Sequence, residues 1–246
     1  LPLIDEQRRL AEVLWAFDAA KQAYKKLLKL TDELVKSRFI EMFGDPVTNE
    51  KKWQQATMRE ASCRMSDGPF GSNLKSEHYA ESGVRVVRLQ NIGVSEFLNS
   101  DKAYISQEHY ETLRKYTCMP GDVLIGTLGE PNLRACMLPE YVEMAINKAD
   151  CVQFVPDSNK VHPRFVCEHI NQPATLALAG GSIHGQTRAR ISMSQVAALP
   201  IYLPPLSLQN RFAQFAEAAD KSKFELARAL DELDAAYRAL LKERLG

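Results

Sequence analysis

The 246-residue sequence predicts an α+β protein: a globular mixed α/β domain at residues 45–202, flanked by long helices at 1–44 and 203–246 that form an antiparallel coiled coil. Three observations predict it. The two ends of the chain repeat one another. Both copies place apolar residues at the spacing of a long paired helix. Between them the sequence changes to short β-type runs punctuated by Gly and Pro.

Laid together without a gap, residues 1–44 and 203–246 share about a dozen identities. Among them are Leu1/Leu203, Pro2/Pro204, Gln7/Gln209, Arg9/Arg211, Lys21/Lys223, Leu28/Leu230, Asp32/Asp234 and Gly44/Gly246. Each copy opens with Pro and offers an N-cap, Asp5 or Ser207, then runs without Gly or Pro to a terminal Gly suited to ending a helix. In the first copy Leu10, Leu14, Phe17, Lys21, Tyr24, Leu28, Thr31 and Val35 step by alternating fours and threes. In the second, Phe212, Ala216, Ala219, Lys223, Leu226, Leu230, Leu233 and Tyr237 do the same in register. This is a period of about 3.5 residues held for about four heptads. A helix from Asp5 to Phe43 is on the order of 58 Å long at about 1.5 Å per residue, and so long an apolar stripe must be buried. Its nearest partner is the other copy, and one domain joining the end of the first to the start of the second favours antiparallel closure. The Lys at the same seam position of both helices is expected to bury its stem and keep its ammonium in water.

Composition sets limits on function. Hydrophobic residues at 45% and charged residues at 25% are ordinary for a globular chain with one sizeable core. No apolar run reaches membrane-spanning length and the start lacks the layout of a signal peptide, so no membrane partner is expected. A first residue of Leu rather than Met reads as a fragment, a processed form or a trimmed chain. Five scattered cysteines (Cys63, Cys118, Cys136, Cys151, Cys167) with no Cys-x-x-Cys give neither a zinc site nor a disulfide framework. They fit thiols in a reducing cytoplasm. Basic and acidic residues balance at 31 each, yet the stretch from His169 to Ala216 holds no Asp or Glu while containing Arg188, Arg190 and Arg211. Segregation of this kind lets a neutral chain present a positive face to phosphates.

In the middle segment, Gly44-Asp45-Pro46 ends the first helix and a polar linker through Glu50-Lys51-Lys52 leads to Trp53. Val84–Leu89 alternates apolar and basic residues, which predicts a half-buried strand with Arg85 and Arg88 on one side. Asp122–Thr127 and Cys151–Val155 predict further strands; Pro163–Ile170 and Gln172–Leu178 predict short helices broken at Pro173. Three loops suit nucleic-acid contact. Asp67-Gly68-Pro69-Phe70-Gly71-Ser72-Asn73-Leu74-Lys75 reads as a hairpin turn ending in small polar side chains and one Lys; Thr127–Pro131 follows a strand; Gly180–Arg190 is long and basic. Arg bonds bidentately to guanine, and Asn or Gln to adenine. Enzyme motifs are missing: there is no phosphate-binding Gly-rich loop ending in Lys-Ser or Lys-Thr, no His-Glu-x-x-His, and no Gly-x-Ser-x-Gly. Glu50-Lys51-Lys52 matches only the tail of a nuclease pattern. Cys167-x-His169 has no neighbouring further ligands and reads as a structural pair. No catalytic or metal-ligating residue is predicted.

These residues resemble the specificity subunit of type I restriction–modification enzymes. The resemblance rests on Gly44-Asp45-Pro46, Trp53, Asp67-Gly68-Pro69-Phe70-Gly71-Ser72 with Leu74-Lys75, and Tyr79 with Gly83. It extends through Arg88-Leu89-Gln90-Asn91-Ile92, Gly121-Asp122-Val123-Leu124-Ile125, Ile191-Ser192, Leu199-Pro200-Ile201, and Leu203-Pro204-Pro205-Leu206 with Gln209. It covers essentially the whole chain in the order helix, target-recognition domain, helix, which is the C-terminal part of the family pattern. The resemblance implies that the helices are conserved spacers and that the middle domain meets double-stranded DNA. The contacting side chains would be Ser72, Asn73 and Lys75, then Arg88, Gln90 and Asn91, then Gln186, Arg188 and Arg190. It also implies docking of methyltransferase (modification) subunits on the outer helix faces and, through them, of a nuclease/translocase subunit. S-adenosylmethionine and ATP would belong to those partners, with no cofactor in this chain. One recognition domain would read one half-site of a bipartite target unless two copies assemble with two-fold symmetry. The competing reading is a coiled-coil scaffold that binds protein partners without reading DNA.

Overall fold

The computed structural model describes residues 4–180 and 190–245, so Gln186 and Arg188 lie outside the described residues. The elements run α1 (Ile4–Phe43), β1 (Gln54–Thr57), β2 (Ser62–Ser66), β3 (Tyr79–Ala80), β4 (Val84–Val87), β5 (Ala103–Ile105), α2 (Gln107–Leu113), β6 (Thr117–Cys118), β7 (Val123–Gly126) and β8 (Arg134–Met137). They continue with β9 (Ala145–Asn147), β10 (Cys151–Pro156), α3 (Pro163–Ile170), α4 (Pro173–Gly180), α5 (Met193–Ala198), β11 (Pro200–Leu203) and α6 (Leu206–Leu245). The chain forms two compact units: Leu1–Arg38 with Gln214–Gly246, and Phe39–Ala213.

The helical unit is an antiparallel pair. An early residue of α1 meets a late one of α6: the Phe17 and Tyr237 rings are edge to face at 5.7 Å, and the Lys21 ammonium lies 5.3 Å from the Tyr237 ring centre. Leu10, Leu14, Phe17, Tyr24 and Leu28 are half-buried and Val35 is buried, as are, on α6, half-buried Leu226, Leu230, Leu233 and Tyr237 and buried Ala216 and Ala219. The seam lysines do more than reach for water. Lys21 Nζ lies 2.6 Å from Asp234 Oδ1, and Lys223 Nζ lies 2.5 Å from Asp32 Oδ1. Lys21/Lys223 and Asp32/Asp234 are both repeat identities, so this is one contact made twice. The hydrogen bond to Asp234 holds the Lys21 ammonium above its ordinary pKa, and the same bond holds Asp234 below the usual carboxylate range. Exposed ion pairs add little stability, but reciprocal ones fix the register of a seam. The expected N-caps are displaced: α1 is already helical at Ile4 and α6 at Leu206, so Asp5 and Ser207 sit inside the first turn. Gly44 ends α1 with φ 82°, its N–H donating to Ile40 O at 2.8 Å, the left-handed closure glycine supplies without strain.

The middle unit holds a five-stranded sheet in the order β3-β5-β4-β9-β6, a four-stranded sheet in the order β2-β10-β7-β8, and the pair β1-β11. Strand β4 lies inside the larger sheet, antiparallel to β5 and parallel to β9. All four of its residues are buried, which corrects the expected half-buried strand. Residues three apart also fall on opposite sides of a strand. Arg85 is therefore enclosed, donating to Asn99 Oδ1 at 3.1 Å and Asp101 O at 2.7 Å, while Arg88 lies past the end of the strand. Helix α4 begins at Pro173, where the missing N–H costs nothing, so this proline starts a helix.

Aromatic packing closes this unit. Phe39 and Phe43 near the end of α1, Phe212 near the start of α6 and Phe165 of α3 are each at most 2% exposed. Their ring centres are 4.8 Å (Phe43–Phe165), 5.4 Å (Phe43–Phe212), 5.5 Å (Phe39–Phe165) and 5.5 Å (Phe39–Phe212) apart. Gln209, fully buried, receives the His162 N–H at 2.8 Å and donates to Lys160 O at 3.0 Å and Pro204 O at 2.8 Å. Cys167 and His169 each meet a backbone carbonyl: Cys167 Sγ is 3.2 Å from Ala135 O, and His169 Nε2 is 3.0 Å from Pro200 O.

Phe165→Ala opens a cavity at the centre of the cluster and should cost about 3–5 kcal/mol in a urea unfolding titration. Burial pushes the His169 imidazole down to about 4, against an unfolded value of about 6.5. The unfolded chain binds its proton first, so this stabilisation is complete above about pH 6.5 and falls by on the order of 3 kcal/mol as pH drops to about 4. His169→Gln should flatten that part of the pH–stability curve, measured by thermal melts from pH 7.5 to 4.

Candidate nucleic-acid interface

The loop Asp67–Lys75 is held at both ends and exposed in the middle. At its start Gly68 passes so close to the β9–β10 turn that a Cβ would lie 2.2 Å from Lys148 C, which only glycine avoids. At its end Leu74 is buried with Val84, Val86, Ile105 and Tyr110. Between them the chain makes a 3-10 turn at Gly71–Asn73, and a second at Ser76–His78 follows the loop, replacing the hairpin the sequence suggests. His109 of α2 bonds Asn73 O at 2.9 Å and its ring lies 4.0 Å from that of His78, which accepts the Lys75 N–H at 3.1 Å. Ser72, Asn73 and Lys75 are exposed, with Lys75 Nζ 3.4 Å from Glu77.

Arg190 enters beside this loop. Its guanidinium lies 5.6 Å from the centre of the exposed Phe70 ring and its Nη2 is 2.7 Å from Asp150 Oδ1. Asp150 has φ 68° and its carbonyl receives the Thr127 N–H at 3.0 Å and Thr127 Oγ1 at 3.2 Å. Thr127 O in turn accepts the Ile191 N–H at 3.0 Å. One short relay thus joins the Phe70 loop, the Thr127–Pro131 loop, the turn before β10 and Arg190. Burial raises the Asp67 carboxyl; the Gly68 N–H opposes that shift, Asp150 adds to it and Arg190 counters it.

The segment after β4 joins the same edge through one side chain. Arg134 of β8 donates from Nε to Ile92 O at 2.6 Å, from Nη1 to Leu128 O and Pro131 O at 2.9 Å each, and from Nη2 to Leu89 O at 3.0 Å. It therefore clamps the 3-10 turn Leu89–Asn91 to the Thr127–Pro131 loop. Gln90 is exposed on that turn. Asn91 is not available to a base: it is fully buried, accepting the Arg88 N–H at 2.9 Å and donating to Leu98 O at 2.9 Å and Asp101 O at 2.7 Å. Arg88 is half-buried and gripped by both carboxylate oxygens of Asp101 through Nε and Nη2. Its guanidinium also lies over the Tyr79 ring at 5.7 Å, which receives the Lys148 ammonium at 5.5 Å.

Of the nine polar side chains singled out in the sequence, Ser72, Asn73, Lys75, Gln90 and Arg190 are exposed, Arg88 and Asn91 are engaged within the fold, and Gln186 and Arg188 are outside the described residues. Phe70, Lys148 and the clamp Arg134 were not singled out. The signal for Phe70 lay in its flanks: an aromatic residue between Gly68-Pro69 and Gly71 has no strand or helix to bury it. Arg134 carries no such mark.

The chain as a whole is similar to known proteins. A curated protein, the MjaVIII specificity subunit of a type I restriction enzyme from Methanocaldococcus jannaschii, is 19% identical over 178 residues, 68% of this chain and 42% of that protein. The HsdS subunit of Thermoanaerobacter tengcongensis matches with a TM-score of 0.58 and 18% identity over 99% of this chain and 59% of its own. The type I S subunit from M. genitalium gives a TM-score of 0.59, 16% identity, and 98% and 60% coverage. A chain solved in work on complex assembly and conformational transition of the type I system gives 0.63, 19%, 99% and 60%. The chain has the fold of a type I specificity subunit. It spans about 60% of the length of these solved subunits. No family model matches it.

Arg134→Ala should release the Leu89–Asn91 turn from the Thr127–Pro131 loop. Hydrogen exchange is the check: faster exchange in both segments together is the expected result, with the strands of the five-stranded sheet unchanged.

Proposed function

We propose that this chain is the DNA-reading part of a type I restriction–modification complex, its middle unit binding one half-site of a bipartite target. The observation that carries this reading is the convergence of Phe70, Gln90, Arg190 and the Ser72–Lys75 segment on loops braced by Arg134 and Asp150. Glycine-bounded loops with exposed Arg, Gln, Asn and an aromatic ring supply phosphate contacts, base-edge bonds and stacking on one surface. The fold shared with specificity subunits supports it. Chemistry then belongs to partners: S-adenosylmethionine and methyl transfer to modification subunits, ATP and cleavage to a nuclease/translocase subunit, within the cytoplasm.

The helical unit would hold the modification subunits. Val13, Leu27, Leu30 and Leu34 of α1 are exposed, as are Trp15 at 73% and Phe224 at 66%. Several of these recur at spacings of three and four, forming an apolar row outside the seam with α6, suited to a partner helix. Two copies related by a two-fold axis would supply both half-sites. The second reading, a scaffold that ignores DNA, is favoured by the internal pairing of Arg88 with Asp101 and of Arg190 with Asp150.

Selection and sequencing of random duplexes bound by the chain with its modification subunit separates them. Enrichment of a short motif, single or doubled at fixed spacing, is expected; binding with no enrichment, or none at all, leaves the scaffold. Arg190→Ala should weaken DNA binding by about 1–3 kcal/mol with relaxed sequence preference if it reads a base, or uniformly with a shallower salt dependence if it holds a phosphate. Unchanged affinity sinks the Arg190 assignment. Leu30→Asp, at an exposed position, should leave the melting curve in place and abolish co-purification of the modification subunit, whereas Leu28→Asp with Leu230→Asp should separate the helices themselves.

A further inference from the structure

We propose that the cleft formed by β4, β5 and the segment before β9 binds a nucleoside monophosphate. The cleft has a volume of about 590 Å³ and its lining includes Arg85, Asn99, Lys102, Tyr104, Tyr141 and Glu143, within the range of about 300–1,000 Å³ that holds small ligands. It shares none of these residues with the Phe70–Arg190 surface and does not rest on the DNA-reading role.

Arg85 carries the inference. It is 6% exposed, and its hydrogen-bond partners, Asn99 Oδ1 and Asp101 O, are both neutral. Its guanidinium lies 5.6 Å from the Tyr104 ring, also neutral. The nearby carboxylate of Asp101 is taken by Arg88. Among the described residues no carboxylate comes within ion-pair distance of Arg85, and its Nε is buried without a partner. A buried cation with no anion is strongly unfavourable unless something supplies one. Here the charge lines an open cleft, with exposed Lys102 as a second cation. A phosphate monoester, with close to two negative charges, matches the pair, and the guanidinium fork suits its oxygens.

The rest of the lining favours a base attached to that phosphate. Tyr104 and Tyr141 offer aromatic faces, and Tyr141 is 64% exposed on a domain whose other tyrosines are at least half-buried. Exposed aromatic rings are platforms on which bases stack. Glu143, a carboxylate on the same cleft, is ill-suited to a bare anion but accepts the N–H edge of guanine.

The test is calorimetric titration of the full chain with GMP, guanosine and inorganic phosphate in parallel. Saturable binding of GMP, at least about tenfold tighter than either fragment, is expected, a factor of ten being about 1.4 kcal/mol. Lys102→Ala and Tyr141→Ala, both at exposed positions, should each weaken it about tenfold without moving the melting temperature. Arg85→Lys, which keeps the charge and loses the fork, should weaken it further. No saturable heat from GMP overturns the site, and so does GMP affinity unchanged in both surface variants. Phosphate binding as tightly as GMP overturns the nucleotide assignment.

Discussion

The contact on which the rest of the chain depends is the cluster of Phe39, Phe43, Phe165 and Phe212. Each ring buries roughly 150–250 Å² of surface, and pairs at these distances add about 0.5–1.5 kcal/mol beyond burial. The cluster gathers the last turn of α1, the first turns of α6 and one face of α3. Holding the end of one helix beside the start of the other is compatible with antiparallel pairing, whose direction and register are fixed by the Lys21–Asp234 and Lys223–Asp32 pairs. Gln209 completes the junction by bonding three backbone groups, the His162 N–H and the Lys160 and Pro204 carbonyls.

Much of this fold is legible in the sequence because periodicity reports burial. The alternating fours and threes from Leu10 to Val35 mark a stripe that has to be covered, and the repeat names what covers it. Partnership is what a single stripe conceals. Lys21 has the same spacing whether its ammonium reaches water or an aspartate, and only the antiparallel sum of positions brings Asp234 opposite. Strand β4 fails differently. Val84–Leu89 alternates like a half-exposed strand, but β5 and β9 bond to both its edges and it lies inside the sheet. Arg85 is then enclosed by Asn99 and Asp101, residues far along the chain that no local pattern connects to it.

The candidate surface was legible as loops and not as side chains. Glycine and proline mark Asp67–Lys75 and Thr127–Pro131 because such turns need them. Which polar groups the fold itself consumes is a tertiary fact. Asn91 and Gln90 are neighbours with similar amides, yet the 3-10 turn directs one to the Leu98 and Asp101 carbonyls and leaves the other exposed. Arg134 and Arg88 likewise resemble ligand-binding arginines in sequence. One is spent on four backbone carbonyls and the other on a carboxylate.

Balanced charge then bears on how such a surface discriminates. A basic face binds any duplex by releasing counterions, which raises affinity for every sequence alike. On this chain 31 basic groups meet 31 acidic ones, and the exposed Arg190 already has an anion in Asp150. A phosphate approaching Arg190 exchanges one ion pair for another and gains little. A base edge carries what a phosphate does not, since its pattern of donors and acceptors differs from one base pair to the next. On the proposed reading, internal pairing removes attraction that is common to every sequence and leaves discrimination to base-edge contacts. The same pairing ties Arg190 to Thr127 through Asp150, so the side chain that would read the base is oriented before the duplex arrives.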